Sequence, residues 1–392
     1  MTHTILICRY QSICEPDVIA GFEKNGYRVE EFTKEIQDPD YDVDYLQQLA
    51  EVILANHYDF IFSMNFFPII SKLCNALRLP YVCWQVDAPF FLLNAPEISG
   101  EYNCIFLFDR KLYQQYHHKN PQGIYHLPLA ANTERLQNTV LNCLPEKKLR
   151  CGKEIAFIGS LYTEKSVFNR IRQMPQKLKK ELEILIEKQL AQGQQDLLAE
   201  LLTPELINDF FQVVSLDAMP EGYQVDKRLF LADEYLAVKV TELERIRLLN
   251  RLAEEFAVSV YTQSDISPLH NIRFCGSADS LYEMPHIFKY SKINLNPTAK
   301  GIHTGISQRV WDVLGAGGFL ICNAQPEVLE TFEAGKDLEV YYSLEELADK
   351  CRYYLRYEKE RRRIAVQGLQ KVQKYHTYEK RIGQMLQIIE KR

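Results

Sequence analysis

No two of the ten cysteines in this 392-residue sequence form a Cys-x-x-Cys pair. Several lie in apolar runs such as YVCW and FLICN. That scatter excludes zinc-finger spacing and points to buried free thiols in a reducing compartment rather than a disulfide frame. No apolar run approaches the roughly 18 residues of a membrane span. The opening segment MTHTILICRYQSICEPD lacks a basic stretch followed by a long apolar core, so no signal peptide is expected. Positive charge is not in excess either. The formal net charge of −6 excludes a general nucleic-acid binder. Internal repeats, proline-rich tracts and low-complexity segments are missing. What is present is ordinary for a soluble globular protein, with 46% hydrophobic and 25% charged residues. The length exceeds one ordinary core, which implies two domains. A cytoplasmic protein is expected, with visits to a membrane surface left open.

The first half alternates short apolar runs with amphipathic segments. TILICRY suits a buried strand. PDVIAGFEKNGYRVEEF then reads as a helix, a stop at Asn25-Gly26, and a strand. DYLQQLAEVILANHYDFIFSMN and IISKLCNALRLPYVCWQVD repeat the pattern, and YNCIFLFDRKLYQQYHHKNPQGIYHLPLA adds two strands around a helix. This rhythm predicts a parallel sheet covered on both faces. Ligands bind such sheets at the carboxyl ends of the strands, which draws attention to Asn65, Asp87 and Asp109.

NTVLNCLPEKKLRCGKE breaks the rhythm and reads as a linker. EIAFIGSLYTEKSVFNRI opens a second α/β unit. From about 173 to 250 the chain is charged and helix-rich, without sustained heptads. The α/β rhythm then returns in FAVSVYTQ, IRFCGSA, KINLNPT and GGFLICN, and the remainder is helical. The expected organisation is a first Rossmann-like domain over 1–148 and a second over 149–375. A helical insertion occupies about 173–250, and a terminal helix over 376–392 is placed to cross back to the first domain. From Lys350 to Arg392 there are 13 Lys and Arg against 4 Asp and Glu. Two readings stand for that tail: charges held in solvent, or attraction to an anionic membrane.

RVWDVLGAGGFLICN, Arg309 to Asn323, starts as an amphipathic helix and ends as a buried strand. Asp312 lies inside the helix, just ahead of Gly315-Ala316-Gly317-Gly318. The other notable segments are FIGSLY (Phe157 to Tyr162), IRFCG (Ile272 to Gly276), MPHIFKYSKINLNPT (Met284 to Thr298), GISQRVWDVLGAGGFLI (Gly305 to Ile321) and FEAGKDLEVYYSLEELADKCRYYL (Phe332 to Leu355). In order and spacing they resemble the CgeB/YkvP-like glycosyltransferases, a bacterial GT-B group. The resemblance covers most of the second domain and is weaker in the first.

The resemblance implies a GT-B fold of two Rossmann-like domains facing a cleft. It also implies transfer from a nucleotide sugar (UDP-, dTDP- or GDP-linked) without metal or other cofactor. The implied acceptors are cell-surface or spore-surface carbohydrate or glycoprotein. It places Asp312 on the ribose hydroxyls, since a carboxylate accepts from a cis-diol. The glycine run would let backbone approach the donor. Gly305, near the helix start, and Arg309 would meet the diphosphate. Gly159 and Ser160 would face it from the first strand of the second domain, with Lys165 or Arg170 reaching phosphates. Phe274 and Gly276 would seat the base, and Asn294 and Asn296 would line the donor site.

Each assignment has a plainer alternative. Asp312 could be a solvated helix residue paired with Arg309, Ile158 to Ser160 an ordinary turn, and the two asparagines loop caps. A retaining enzyme's first Glu would stand where this chain has Thr304, after His303, so an inverting reaction is expected. That needs a base in the first domain. Asp87, before Pro89, is the candidate if burial near aromatics raises its pKa; otherwise it organises a turn. Asp109 is a second candidate or a helix cap. His303 is a third, while His117 and His118 read as a solvated helix end. A non-catalytic sugar-nucleotide binder and a nucleotide-sugar epimerase remain the alternative functions.

Overall fold

The computed structural model describes residues 3–193, 196–216 and 219–391. Two six-stranded parallel sheets form its frame. The first holds β1 (Thr4–Cys8), β2 (Arg28–Phe32), β3 (Phe60–Met64), β4 (Tyr81–Trp84), β5 (Asn103–Leu107) and β6 (Ile124–His126), in the order β2-β1-β3-β4-β5-β6. The second holds β7 (Ile155–Ile158), β8 (Val258–Tyr261), β9 (Arg273–Phe274), β10 (Ile293–Asn296), β11 (Leu320–Asn323) and β12 (Glu339–Tyr341), in the order β12-β11-β10-β7-β8-β9. Helices cover both faces of each sheet. β3, β5, β7 and β10 are therefore buried at every position, and β7, Ile-Ala-Phe-Ile, is apolar throughout rather than alternating.

Strand order reverses between β1 and β3 in the first sheet and between β7 and β10 in the second. A crevice opens outside the carboxyl ends at each reversal, which is where open α/β sheets bind ligands. Gly159 and Pro297 flank the second crevice.

The domains share one apolar core. Phe22, Phe62 and Trp84 of the first domain belong to the same buried cluster as Tyr378, Trp311 and Leu314. The indole of Trp84 meets the ring of Tyr378 edge-on at 5.8 Å. Tyr378 begins the helix Tyr378–Ile389, which packs against Glu15–Lys24 of the first domain. Gly21 makes room: a methyl group there would collide with Ile382 and lie 3.3 Å from Tyr378 Cβ. Arg392, the end of the basic tail, lies outside the described residues. Among them no helix is long and apolar enough to cross a membrane. All ten cysteines are free, and nine are buried, with Cys275 partly exposed.

The insertion folds around its own core of Leu182, Phe210, Leu236 and Val240. It also reaches the first domain. Tyr223 stacks on Phe91 at 4.9 Å and donates to Asp40 at 2.7 Å, and the Gln224 N–H donates to the Asn94 carbonyl at 3.1 Å. The insertion thus forms a second bridge between the domains.

The glycine run serves packing. A methyl group at Gly315 would lie 2.7 Å from Leu136 and 3.0 Å from Ala131, so the helix Gln308–Gly315 seats directly on the first domain. Gly317, at φ 73°, ends that helix in the left-handed conformation, and the N–H groups of Gly317 and Gly318 cap Leu314 and Val313. Gly318 abuts the Phe288 carbonyl. The expectation that this turn approaches a ligand is corrected: its small residues admit protein neighbours.

Candidate active site

At the β7/β10 crevice the central side chain is Arg245, from the helix Val238–Ala253. It is buried on the same face as Leu248, Leu249 and Leu252. Its guanidinium donates to the Ser160 carbonyl at 2.6 Å and twice to the Pro297 carbonyl, at 2.8 and 3.2 Å. It lies over the Tyr162 ring at 4.9 Å. Burial lowers its pKa from the ordinary value, yet a guanidinium stays charged in proteins. No carboxylate pairs with it directly among the described residues. One cation therefore ties the loops after β7 and β10 together and leaves its charge at the crevice. Sequence reading missed it. The available signal was an arginine on the apolar stripe of an amphipathic helix.

Gly159 and Ser160 lie beside Arg245. Ser160 is occupied with its own loop: it donates to Glu164 at 2.7 Å and accepts from the Tyr162 N–H at 2.8 Å. Lys165 is exposed, 5.0 Å above the Tyr162 ring, and Arg170 is bonded to the Glu164 carbonyl. Phe274 ends the edge strand β9, and Gly276 lies two residues beyond it. Phe274 is exposed, and a side chain at Gly276 would meet only open space.

Asn294 and Asn296 do not act as expected. Asn294 is buried and donates to the carbonyls of Phe288, in the helix before β10, and Phe319, just before β11. It therefore sits at the amino-end side of the sheet, away from the crevice. Asn296 is at the carboxyl end, but its amide is used on Thr298 and Ser307, at 3.0 Å each. It holds the loop that leads to the next helix.

That helix, Gln308–Gly315, presents Arg309 and Asp312. The Gln308 amide donates to Asp312 at 2.8 Å, and Arg309 stands 3.6 Å from the other carboxylate oxygen. Arg309 also lies over the Phe288 ring at 5.2 Å and against the Met284 sulfur at 2.9 Å. Burial raises the Asp312 carboxyl above the usual carboxylate range, against the pull of Arg309 and Gln308. Asp312 opens on a crevice of about 10 Å³ shared with Ile13, Cys14 and Ser280. A ribose does not fit in that crevice as the domains stand.

Across the cleft, Asp87 is exposed at the carboxyl end of β4. This corrects the expected burial among aromatics. Asn65 orients it: the Asn65 amide donates to the Asp87 carboxylate at 2.7 Å, and its oxygen accepts from the Val86 and Asp87 N–H groups. Asn65 holds φ 58°, a conformation asparagine tolerates better than most residues.

Asp109 has a different task. It is fully buried and caps Arg110–Tyr116 through the N–H groups of Lys111 and Leu112. It also accepts from the N–H groups of His303, Thr304 and Gly305, at 2.7, 3.0 and 3.1 Å, and from the Thr304 hydroxyl. Burial alone would raise its pKa, but the His303 charge and these N–H donors bring it below the ordinary value. Asp109 is a clasp between the domains. The Gly305 N–H is thereby taken, and a methyl group there would lie 3.0 Å from Asp109 Cα. Gly305 faces the first domain rather than a diphosphate.

His303 is no free base. Its Nδ1 is 2.7 Å from Asp196 and its Nε2 3.5 Å from Asp233. Burial pushes its pKa down, but the two carboxylates outweigh that and raise it to about 10. The ring is a buried cation at neutral pH.

Residues 243–387, which include Arg245, Arg309 and Asp312, match the family model described as glycosyl transferase-like. No curated protein matches the chain. Among solved structures, HepE from Anabaena in complex with UDP and glucose superposes with a TM-score of 0.58 at 10% identity, covering 100% of both chains. Sucrose-phosphate synthase from Thermosynechococcus elongatus gives 0.52 at 12% identity, covering 99% of this chain and 98% of that one. The UDP-forming trehalose-phosphate synthase from Burkholderia xenovorans gives 0.53 at 10%, covering 99% of each. The two parallel sheets, their connections and the cleft are those of the GT-B glycosyltransferase fold.

Proposed function

We propose that the protein is a glycosyltransferase that moves a sugar from a nucleotide-diphosphate donor to a hydroxyl of a carbohydrate or glycoprotein acceptor, with inversion and without metal. One observation carries the reading. The second domain holds two guanidiniums, Arg245 on the loops after β7 and β10 and Arg309 on the helix that follows β10. One meets no carboxylate directly among the described residues, and the other meets only Asp312, at 3.6 Å. Positive charge so placed at the strand-order reversal suits a diphosphate. The match to a glycosyl transferase-like model over these residues supports it.

In this reading the domains part at the edge beside Asp312, and its carboxylate then accepts hydrogen bonds from the ribose hydroxyls. Asp87, held by Asn65, removes the acceptor hydroxyl proton. The acceptor oxygen bonds to the anomeric carbon as the bond from that carbon to the phosphate oxygen breaks. The nucleoside diphosphate leaves with its charge met by Arg309 and Arg245. UDP is the first nucleotide to try, because HepE binds it.

The test is thermal shift with UDP, dTDP, GDP, ADP and CMP on the wild type and on Asp312→Asn. A ligand present at a hundred times its Kd adds about 2.7 kcal/mol to stability. One nucleotide is expected to raise Tm, with the shift lost in the variant. No shift with any of the five at millimolar concentration overturns the reading. Product analysis with donor alone then separates transfer from epimerisation, which changes the donor sugar without an acceptor.

A further inference from the structure

A cavity of about 410 Å³ lies where the first domain, the insertion and the loop after β10 meet. That volume falls within the roughly 300–1,000 Å³ of small-molecule sites. It adjoins the proposed reaction centre on two sides. Pro89, two residues after Asp87, forms one wall, and Gly301 and His303 of the loop tied to Arg245 form another. A methyl group at Gly301 would collide with the Pro89 ring, so the two walls are in contact.

The lining combines aromatic rings with polar groups. Phe90 and Tyr116 come from the first domain and Phe230 from the insertion. Two carboxylates enter side by side, Asp233 and Glu234, from the π-helix Leu231–Ala237. π-Helical turns are uncommon and recur at functional sites. Asp233 is neutralised by the His303 cation. The Glu234 carboxylate makes no hydrogen bond or ion pair among the described residues, and neither does the Gln115 side-chain amide, which lines the same cavity. Lys119 lines the same cavity, so its wall carries charge of both signs. Rings for the apolar faces of a ligand, with free carboxylate and amide groups for its hydroxyls, suit a neutral pyranoside.

We propose that this cavity holds the acceptor sugar, and that Glu234 accepts a hydrogen bond from one of its hydroxyls. The inference rests on the glycosyltransferase reading above and names its acceptor class. The insertion is then the acceptor-recognition element, and Glu234 a binding residue beside the base rather than the base itself.

Burial and the neighbouring Asp233 raise the Glu234 carboxyl to about 7. The groups around it are Asp233 and Asp226 from the insertion, Tyr116, His118 and Lys119 from the first domain, and His303. An ionised carboxylate accepts from a hydroxyl more strongly than a protonated one. Sugar affinity should therefore fall as pH falls through about 7.

The experiment is ligand-observed NMR with methyl and octyl glycosides of glucose, galactose, mannose and N-acetylglucosamine. The proteins are the wild type, Glu234→Gln and Gln115→Trp, each checked for a native melt. At least one methyl glycoside should bind the wild type, about tenfold more weakly at pH 5.5 than at pH 8. Glu234→Gln should flatten that pH dependence, and Gln115→Trp, which fills the cavity, should abolish binding. Tighter binding of the octyl form assigns a lipid-linked sugar, and equal binding a free or protein-linked one. Undiminished binding to Gln115→Trp, or no glycoside binding to the wild type with or without nucleotide, overturns the proposal. Nucleotide thermal shift on the wild-type protein reads the transferase proposal separately, so either can fail alone.

Discussion

Asp87 and Asp109 follow neighbouring strands of one sheet, each just past its carboxyl end, yet their surroundings are opposite. Asp87 is exposed and held mainly by one asparagine. Asp109 is sealed and accepts N–H groups from both domains. The difference teaches that topology fixes where a carboxylate stands, while the surrounding donors fix what it does. A carboxylate whose lone pairs are filled by backbone is structural. One left open to the cleft can take a proton.

Four changes sharpen that contrast. The largest effect is expected from Asp87→Asn, which should cut transfer by about 10²–10⁴-fold while moving stability by less than about 1 kcal/mol. Initial rates and a melt on the same sample check both. Asp109→Ala should do the reverse in kind. It strands buried N–H donors across the domain boundary and should cost about 3–5 kcal/mol in denaturant unfolding. If Asp109→Ala lost activity at unchanged stability, the division of labour would be wrong.

Asn65→Ala comes next. It frees the Asp87 side chain and should lower transfer by roughly tenfold, about 1.4 kcal/mol, with nucleotide shifts unchanged. The smallest effect is in pH. His303 has a folded pKa raised to about 10, well above its unfolded value. Its contribution is fully present below the unfolded value and is lost as pH rises through about 10. Tm should fall on that alkaline limb in the wild type and fall less in His303→Gln.

The sequence made the two-domain α/β plan legible because strands buried on both faces leave unbroken apolar runs between amphipathic helices. It also located the important loops, since residues after parallel strands are few and easily named. It did not reveal direction. Asn294 and Asn296 sit two residues apart on one strand, but one ends at the amino side of the neighbouring strand and the other at the carboxyl side. The small residues of 315–318 look the same whether they admit a ligand or a helix, and only the position of Leu136 and Phe288 decides. Arg245 was lost among the charges of its helix. The ion chain through Lys111, Asp196, His303 and Asp233 joins parts of the chain whose proximity no local pattern encodes.

The helix Tyr378–Ile389 has a consequence for how the protein is made. It covers Glu15–Lys24, and Asn25 bonds to the Glu379 carbonyl 354 residues downstream. As the chain leaves the ribosome, the first sheet can assemble early, but one flank stays bare until the entire second domain has been synthesised. The domain translated first is thus finished only after the other.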